Sequence, residues 1–274
     1  MPNRVADANI ATVIEDMANA GKTLSAMGAS EGAAGNLSVY LEPGQQVPSE
    51  FYAAETIVLP EPVPELAEAW FVVSGSGTRM RDITSNPGGC LALLLVAQGG
   101  LRATLYQAKT RNYSRITSEF NSHLVVHRSH VRDKGLKYHA VVHAQPRKLT
   151  YLSHVTAYQD ENYLNRRLLR WQPEAILNFP EGLGLIAFQV PGQRELMEAN
   201  LRVLRERRLA IWAKHGVMAR SSHSVQAAVD LIEYAETAAE YECLDRSLGG
   251  QAEGLSAEEL AQIATAYGVQ QTLF

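Results

Sequence analysis

The sequence predicts an α/β fold built around one mixed sheet. Three observations lead there. Apolar stretches of strand length are interleaved with stretches of helical period along the 274 residues. Several strand candidates are separated by short glycine-containing turns, which is hairpin chemistry, so the sheet should not be purely parallel. No internal repeat or low-complexity tract breaks the pattern, and a single domain over residues 1–274 accounts for the whole chain,.

Taken in order, Ile10, Val13, Ile14, Met17 and Leu24 recur with helical period, so a helix is expected within an N-terminal segment of residues 1–28, with Asp7 as its N-cap,. Gly28 to Asn36 is a turn of small residues leading into a strand at Leu37–Leu41,. Residues 42–66 carry Pro43, Pro48, Pro60, Pro62 and Pro64 and read as an irregular excursion, a lid or a surface loop,. Trp70–Val73 is a buried-strand run that ends in Ser74-Gly75-Ser76-Gly77-Thr78. Leu91–Val96 and Leu101–Tyr106 flank Gly99-Gly100 as a hairpin,. A helix should open at Ser118 and run through His130, and Tyr138–His143 should be a strand. Pro180 to Gly184 forms a turn between Ala175–Asn178 and Leu185–Phe188. Glu195–Arg207 is expected as a helix, Leu209–Trp212 as a short strand, and Ser224–Leu248 as a long amphipathic helix closed by Gly249-Gly250,. A last helix at Ala257–Tyr267 follows a Ser256 cap,.

Composition narrows the class of function. A formal net charge of −4 and a 20% charged fraction without a basic stripe argue against nucleic acid or an anionic membrane as partner,. No apolar run approaches the roughly 18 residues needed to span a bilayer. The first residues show no basic segment followed by an apolar block, so no signal peptide is expected,. Cys90 and Cys243, far apart and in no Cys-x-x-Cys pairing, read as reduced thiols, in keeping with a cytoplasmic setting,.

Four segments carry residue types suited to chemistry. Ser74-Gly75-Ser76-Gly77-Thr78 combines glycines, which let backbone N–H groups converge, with hydroxyl donors; that suits a phosphate, or else it is a tight strand-end turn,. Thr117-Ser118-Glu119 is either a helix cap or a hydroxyl pair beside a carboxylate placed to move a proton,. His143 and Gln145, two apart at a strand end, would face the same side and point at one ion,. His215 lies beside Gly216 at another strand end and strengthens that site only by converging with His143. A rival arrangement is His123, His127 and His130 at helical spacing, which lacks the glutamate of the familiar zinc pattern and reads instead as a solvated or interface face,.

In this order, the segments resemble the class II aldolase/adducin family from about residue 22 to residue 250. The resemblance is carried by Glu31–Leu37 with Gly35-Asn36, Phe71–Gly77, Thr117-Ser118-Glu119 with His123 and His127, and His143-x-Gln145-Pro146. Further on it includes Phe179–Gly184, Val190-Pro191-Gly192 and His215-Gly216-Val217. It implies a three-layer α/β/α arrangement around a mainly antiparallel sheet, assembled as a homotetramer with sites between subunits. It implies a divalent metal, Zn²⁺ foremost with Mn²⁺, Fe²⁺ or Co²⁺ as alternatives, held by His143, Gln145 and His215. Glu119 would be the catalytic carboxylate. Glu174 would reach a neighbouring subunit's site. Asn36, Ser76, Thr117 and Ser118 would hold the substrate phosphate. The implied reaction is lyase cleavage of a ketose 1-phosphate, such as rhamnulose 1-phosphate, to dihydroxyacetone phosphate and an aldehyde.

Two positions depart from the family pattern. Gln145 stands where the family has a second histidine ligand, and Ala33 where close relatives place a phosphate-binding asparagine. An amide oxygen is a harder, weaker zinc ligand than imidazole. A weaker zinc site, a shift to another ion, or loss of the metal are therefore all open, and two alternatives stand beside the aldolase: a non-catalytic scaffold like adducin, or a different reaction of the family, an epimerase or dehydratase, on a substrate lacking phosphate.

Overall fold

The computed structural model describes residues 8–274. Its helices are α1 (Ile10–Ala26), α2 (Pro87–Cys90), α3 (Phe120–Lys134), α4 (Arg147–Leu152), α5 (Glu161–Leu168), α6 (Pro173–Asn178), α7 (Arg194–Glu206), α8 (Val225–Ser247) and α9 (Ala257–Ala266). Its strands are β1 (Asn36–Leu41), β2 (Phe51–Val58), β3 (Trp70–Ser74), β4 (Leu91–Val96), β5 (Arg102–Ala108), β6 (Tyr138–Ala144), β7 (Gly184–Ile186), β8 (Leu209–Trp212) and β9 (Gly216–Ser221). The strands form one nine-stranded sheet in the order β2-β5-β4-β3-β1-β6-β9-β8-β7, antiparallel throughout except for β7 beside β8. The sheet is mixed and mainly antiparallel, as the turns imply.

Helices cover both faces, which gives the three layers. Leu37, Val39 and Leu41 of β1 and Ala140, Val142 and Ala144 of β6 point to the side packed by α1 and α8. Tyr40, Phe71 and Val73 point the other way, toward Phe120 and Leu124 of α3, and Val141 packs there with Val125, Val126 and Leu196. With both faces covered, β1, β3 and β6 are buried along their whole length. The period-two alternation then fixes which residues share the α3 side: Asn36, Ser38 and Tyr40 from β1, His139, Val141 and His143 from β6. The antiparallel register sets Asn36 directly opposite His143 and Tyr40 opposite His139.

Several expectations need correction. Asp7 lies outside the described residues, and the cap of α1 is Asn9, whose side chain accepts from the Thr12 N–H in a reciprocal capping box. The stretch 42–66 is not wholly irregular, since β2 lies inside it as an edge strand with a bulge between Ala53 and Glu55. Most of β2 is exposed, so no alternation marks it in the sequence,. Helix α3 starts at Phe120, with Glu119 at the N-cap position but making no capping bond; its carboxylate is turned to Asn36 instead. Helix α8 has buried positions around most of its circumference, Glu236, Glu242 and Asp245 among them. Glu236 accepts from the N–H groups of Lys148 and Leu149 at the start of α4, and Glu242 accepts from Tyr158, Arg167 and Trp171, so these acids tie α4 and α5 to the core,.

Candidate active site

The end of β6, the tight β8–β9 turn and the start of α3 meet at one cleft of about 190 Å³. Asn36, Ser76, Thr117, Ser118, Glu119, His143, Gln145 and His215 all line it, together with Ala33. Glu174 does not. It is exposed in the first turn of α6, so a single chain does not bring it to its own cleft.

His143 is buried, and its ring lies nearly parallel to Trp212 with centroids 4.4 Å apart. Its Nδ1 is 2.8 Å from the Val217 carbonyl. A carbonyl oxygen only accepts, so Nδ1 donates to it and leaves Nε2 to the cleft,. Nε2 is 3.7 Å from Glu119 Oε2, and His215 Nε2 is 3.9 Å from Glu119 Oε1. The two imidazole centroids are 4.9 Å apart, and one ligand atom from each of Glu119, His143 and His215 lies within 4.8 Å of the others. The turn that carries His215 is tight: Lys214 adopts φ 67°, and the His215 N–H donates to the Trp212 carbonyl,. Gly216 is required next to it, because a Cβ there would sit 2.4 Å from the Ala144 carbonyl oxygen and crowd the His143 ring. Gly35, at φ +82°, likewise lets the chain pass against the His143 carbonyl,.

Burial pushes the Glu119 carboxyl up, but His143, the Asn36 hydrogen bond, His123 and His215 outweigh it and hold it below the usual carboxylate value,. Burial, assisted by His143 and opposed by Glu119, holds His215 down at about 4. Near neutral pH the cleft therefore contains an ionised carboxylate and a neutral His215. Among the described residues no lysine or arginine pairs with Glu119, and His215 Nδ1 is buried without a hydrogen-bond partner. A small cleft with two imidazole nitrogens and an uncompensated buried carboxylate matches the donor set of a divalent cation.

The glycine-rich turn differs from its expected role. The N–H groups of Gly75, Ser76 and Thr78 are bonded to the carbonyls of Cys90, Arg115 and Gly75, so they do not form an open anion nest. Gly75, Ser76 and Gly77 of this turn line the cleft. The His123, His127 and His130 face is not solvated either: all three rings are buried and hydrogen-bonded. Two contributors were not singled out from sequence. Trp212 stacks on His143, anchored by its own Nε1–H to Asn200, and Ser38 sits between two histidines. Trp212 lies three residues from His215 in the same short segment, which is the only local signal for it.

Residues 15–243 match the family model "Class II Aldolase and Adducin N-terminal domain". The chain belongs to the class II aldolase/adducin family. Within that family it is 29% identical over 259 residues to rhamnulose-1-phosphate aldolase of Yersinia pseudotuberculosis, covering 93% of each chain. It is 30% identical over 215 residues to the enzyme of the same name from Pectobacterium atrosepticum, covering 77% of this chain and 76% of the other. Among solved structures, a sugar-phosphate aldolase from Thermotoga maritima superposes with a TM-score of 0.73 at 27% identity, over 88% of this chain and 97% of that one.

Proposed function

We propose that this class II aldolase/adducin family member is a metal-dependent aldolase that cleaves a ketose 1-phosphate, with rhamnulose 1-phosphate the first candidate, to dihydroxyacetone phosphate and an aldehyde. One observation carries the proposal: the nitrogens of His143 and His215 and the Glu119 carboxylate converge within 4.8 Å on a cleft, with no lysine or arginine among the described residues paired to the acid. The names of the curated relatives and of the structural neighbour support the choice of a sugar phosphate.

His143, His215 and Gln145 would hold the ion. Two imidazoles with an amide oxygen make a harder set than three imidazoles, so Mn²⁺, Fe²⁺ or Co²⁺ compete there with Zn²⁺. A bound divalent cation supplies Lewis acidity to the hydroxy-ketone end of the substrate. Dihydroxyacetone phosphate has three carbons, so the bond that breaks is C3–C4. The C4 hydroxyl gives up its proton and becomes the aldehyde carbonyl, and the electron pair left on C3 takes up a proton. Glu119, which lines the cleft, would move that proton,. The hydroxyls of Ser76, Thr117 and Ser118 would hold the phosphate, with Asn36 beside them; this grip is remote from C3–C4 and acts by orientation. Glu174 enters the site only through a second copy of the chain, as a homotetramer would provide. No helix among the described residues is long and apolar enough to cross a membrane.

The test is a coupled assay for dihydroxyacetone phosphate across a panel of ketose 1-phosphates and the matching free sugars, with Zn²⁺, Mn²⁺ or Co²⁺ present. Release from a phosphorylated ketose, with the free sugar turned over far more slowly, is the expected result. No release from any ketose 1-phosphate with any of these ions would refute the proposal.

A further inference from the structure

A line of buried polar side chains leads from Glu119 away from the cleft into the space between α3 and the sheet. Asn36 Nδ2 is 2.7 Å from Glu119 Oε2, and Asn36 Oδ1 is 2.6 Å from His123 Nε2. His123 Nδ1 and His127 Nε2 each lie 2.7 Å from Ser38 Oγ. His127 Nδ1 is 2.9 Å from His139 Nδ1, where the line ends, because His139 Nε2 is buried without a hydrogen-bond partner. The rungs alternate between helix and strand because two repeats agree. Four helical residues advance about 6.0 Å and two strand residues about 6.6 Å. Glu119, His123 and His127 on α3 therefore keep step with Asn36 and Ser38 on β1.

The direction of every bond in this line follows from its two ends. A carboxylate only accepts, so Asn36 turns its NH₂ to Glu119 and its carbonyl to His123, which must donate from Nε2. Burial holds His123 down at about 3 and His127 and His139 well below the ordinary imidazole value, so all three rings are neutral near pH 7. With Nε2 protonated, His123 Nδ1 accepts from the Ser38 hydroxyl, Ser38 accepts from His127 Nε2–H, and His127 Nδ1 accepts from His139 Nδ1–H. The far end agrees independently. This direction leaves His139 Nε2 as an unfilled acceptor, whereas the reverse would strand a buried N–H there, the rarer and costlier defect. The reverse would also set the Asn36 carbonyl against the carboxylate.

We infer that Ser38, His123, His127 and His139 form a one-way hydrogen-bond ladder with fixed tautomers, which locks the Asn36 amide with its NH₂ on Glu119 and makes these residues positioning residues for the Glu119 carboxylate. The positioning role rests on the aldolase proposal, whereas the tautomer pattern does not. Without the ladder the Asn36 amide could turn over, and Glu119 would lose the donor that holds Oε2.

The experiment is ¹⁵N NMR of the full-length protein carrying ¹⁵N-labelled histidine, near pH 7.5, on the native chain and on Ser38→Ala and Ser38→Thr. In the native protein, His123 and His127 should be protonated on Nε2 and His139 on Nδ1. Ser38→Ala should release His123, as well as His127 and His139, into exchange between tautomers. Turnover of the ketose phosphate should fall about tenfold with KM changed less than about twofold, and Ser38→Thr should restore both. The opposite tautomer or a charged ring at any of the three positions in the native protein would overturn the ladder. So would unchanged His127 and His139 signals in Ser38→Ala. The native spectrum depends neither on a variant folding nor on any activity. A protein with the stated tautomers and no aldol cleavage would refute the function while leaving the ladder standing.

Discussion

Two groups of histidines share one face of the sheet, and they are opposites in chemistry. His143 and His215 line the cleft with ring nitrogens 3.7 and 3.9 Å from the oxygens of a carboxylate they do not hydrogen-bond. His123, His127 and His139, one strand or one helical turn away, are buried with five of their six ring nitrogens paired. Residue type and spacing do not separate the groups; a His-x-x-x-His pair on a helix is, on its face, the better zinc motif. What separates them is whether the lone pair is already committed. A ring whose nitrogens serve its neighbours cannot bind an ion without breaking buried hydrogen bonds, at about 1–3 kcal/mol for each group left unsatisfied.

The contrast can be broken or sharpened by substitution, and the largest effect belongs to the cleft. His143→Ala should lower ketose-phosphate cleavage at least about a thousandfold, since it would remove a ligand of the proposed ion and with it the Lewis acid; steady-state kinetics with added metal is the check. Glu119→Gln should follow, with a loss of about 10²–10⁴-fold in kcat and the metal retained, because the amide cannot move the proton. Gln145→His should act in the opposite sense, raising Zn²⁺ affinity about tenfold or more by replacing an amide oxygen with imidazole, measured by competition with a chromophoric chelator.

The buried group predicts effects on stability instead. His123, His127, His130 and His139 are all held below the ordinary imidazole value, by burial in each case. A depressed histidine contributes stability that is complete above the unfolded pKa near 6.5 and is lost as pH falls toward the folded value. The unfolding free energy from denaturant titration should therefore drop between pH 6.5 and 5, with a slope that approaches about 1.4 kcal/mol per pH unit for each such residue at the lower end. His127→Phe should lower that slope by one residue's share and cost about 1–3 kcal/mol at neutral pH, with bound metal unchanged. A flat profile would mean that these rings take up protons in the native state as readily as in the unfolded chain, and the contrast between the two groups would disappear.

Most of the architecture was legible because it is written in local periods. The strands at Trp70–Ser74, Leu91–Val96 and Tyr138–Ala144 are built on short apolar runs, α1 and α9 carry helical spacing and capping residues, and α7 carries helical spacing. Strand β2 was not, because an exposed edge strand has no buried face to imprint alternation on its sequence. At the site, His143, Gln145 and His215 could be singled out by type and position, and the fold brings all three to one cleft. The role of the helical histidines was illegible for a physical reason. Their partners Ser38 and Asn36 lie more than eighty residues away on a strand, and only the match of helical and strand repeats brings them together. The bonding of the Gly75–Thr78 turn was illegible for a similar reason, since the N–H groups of Gly75 and Ser76 are taken by the distant carbonyls of Cys90 and Arg115, and that of Thr78 by a local one.

The central claim is that one divalent ion binds at His143, His215 and Gln145 beside Glu119, and that none binds at the buried histidines. The most direct test is the metal content of protein purified without chelator and then offered Zn²⁺, Mn²⁺ or Co²⁺, comparing the native chain with His143→Ala and His127→Phe. The account predicts about one ion per chain in the native protein and in His127→Phe, and less than about a tenth in His143→Ala. A native chain that stays below about a tenth of an ion with every metal, or a His143→Ala variant that binds as the native chain does, would contradict it.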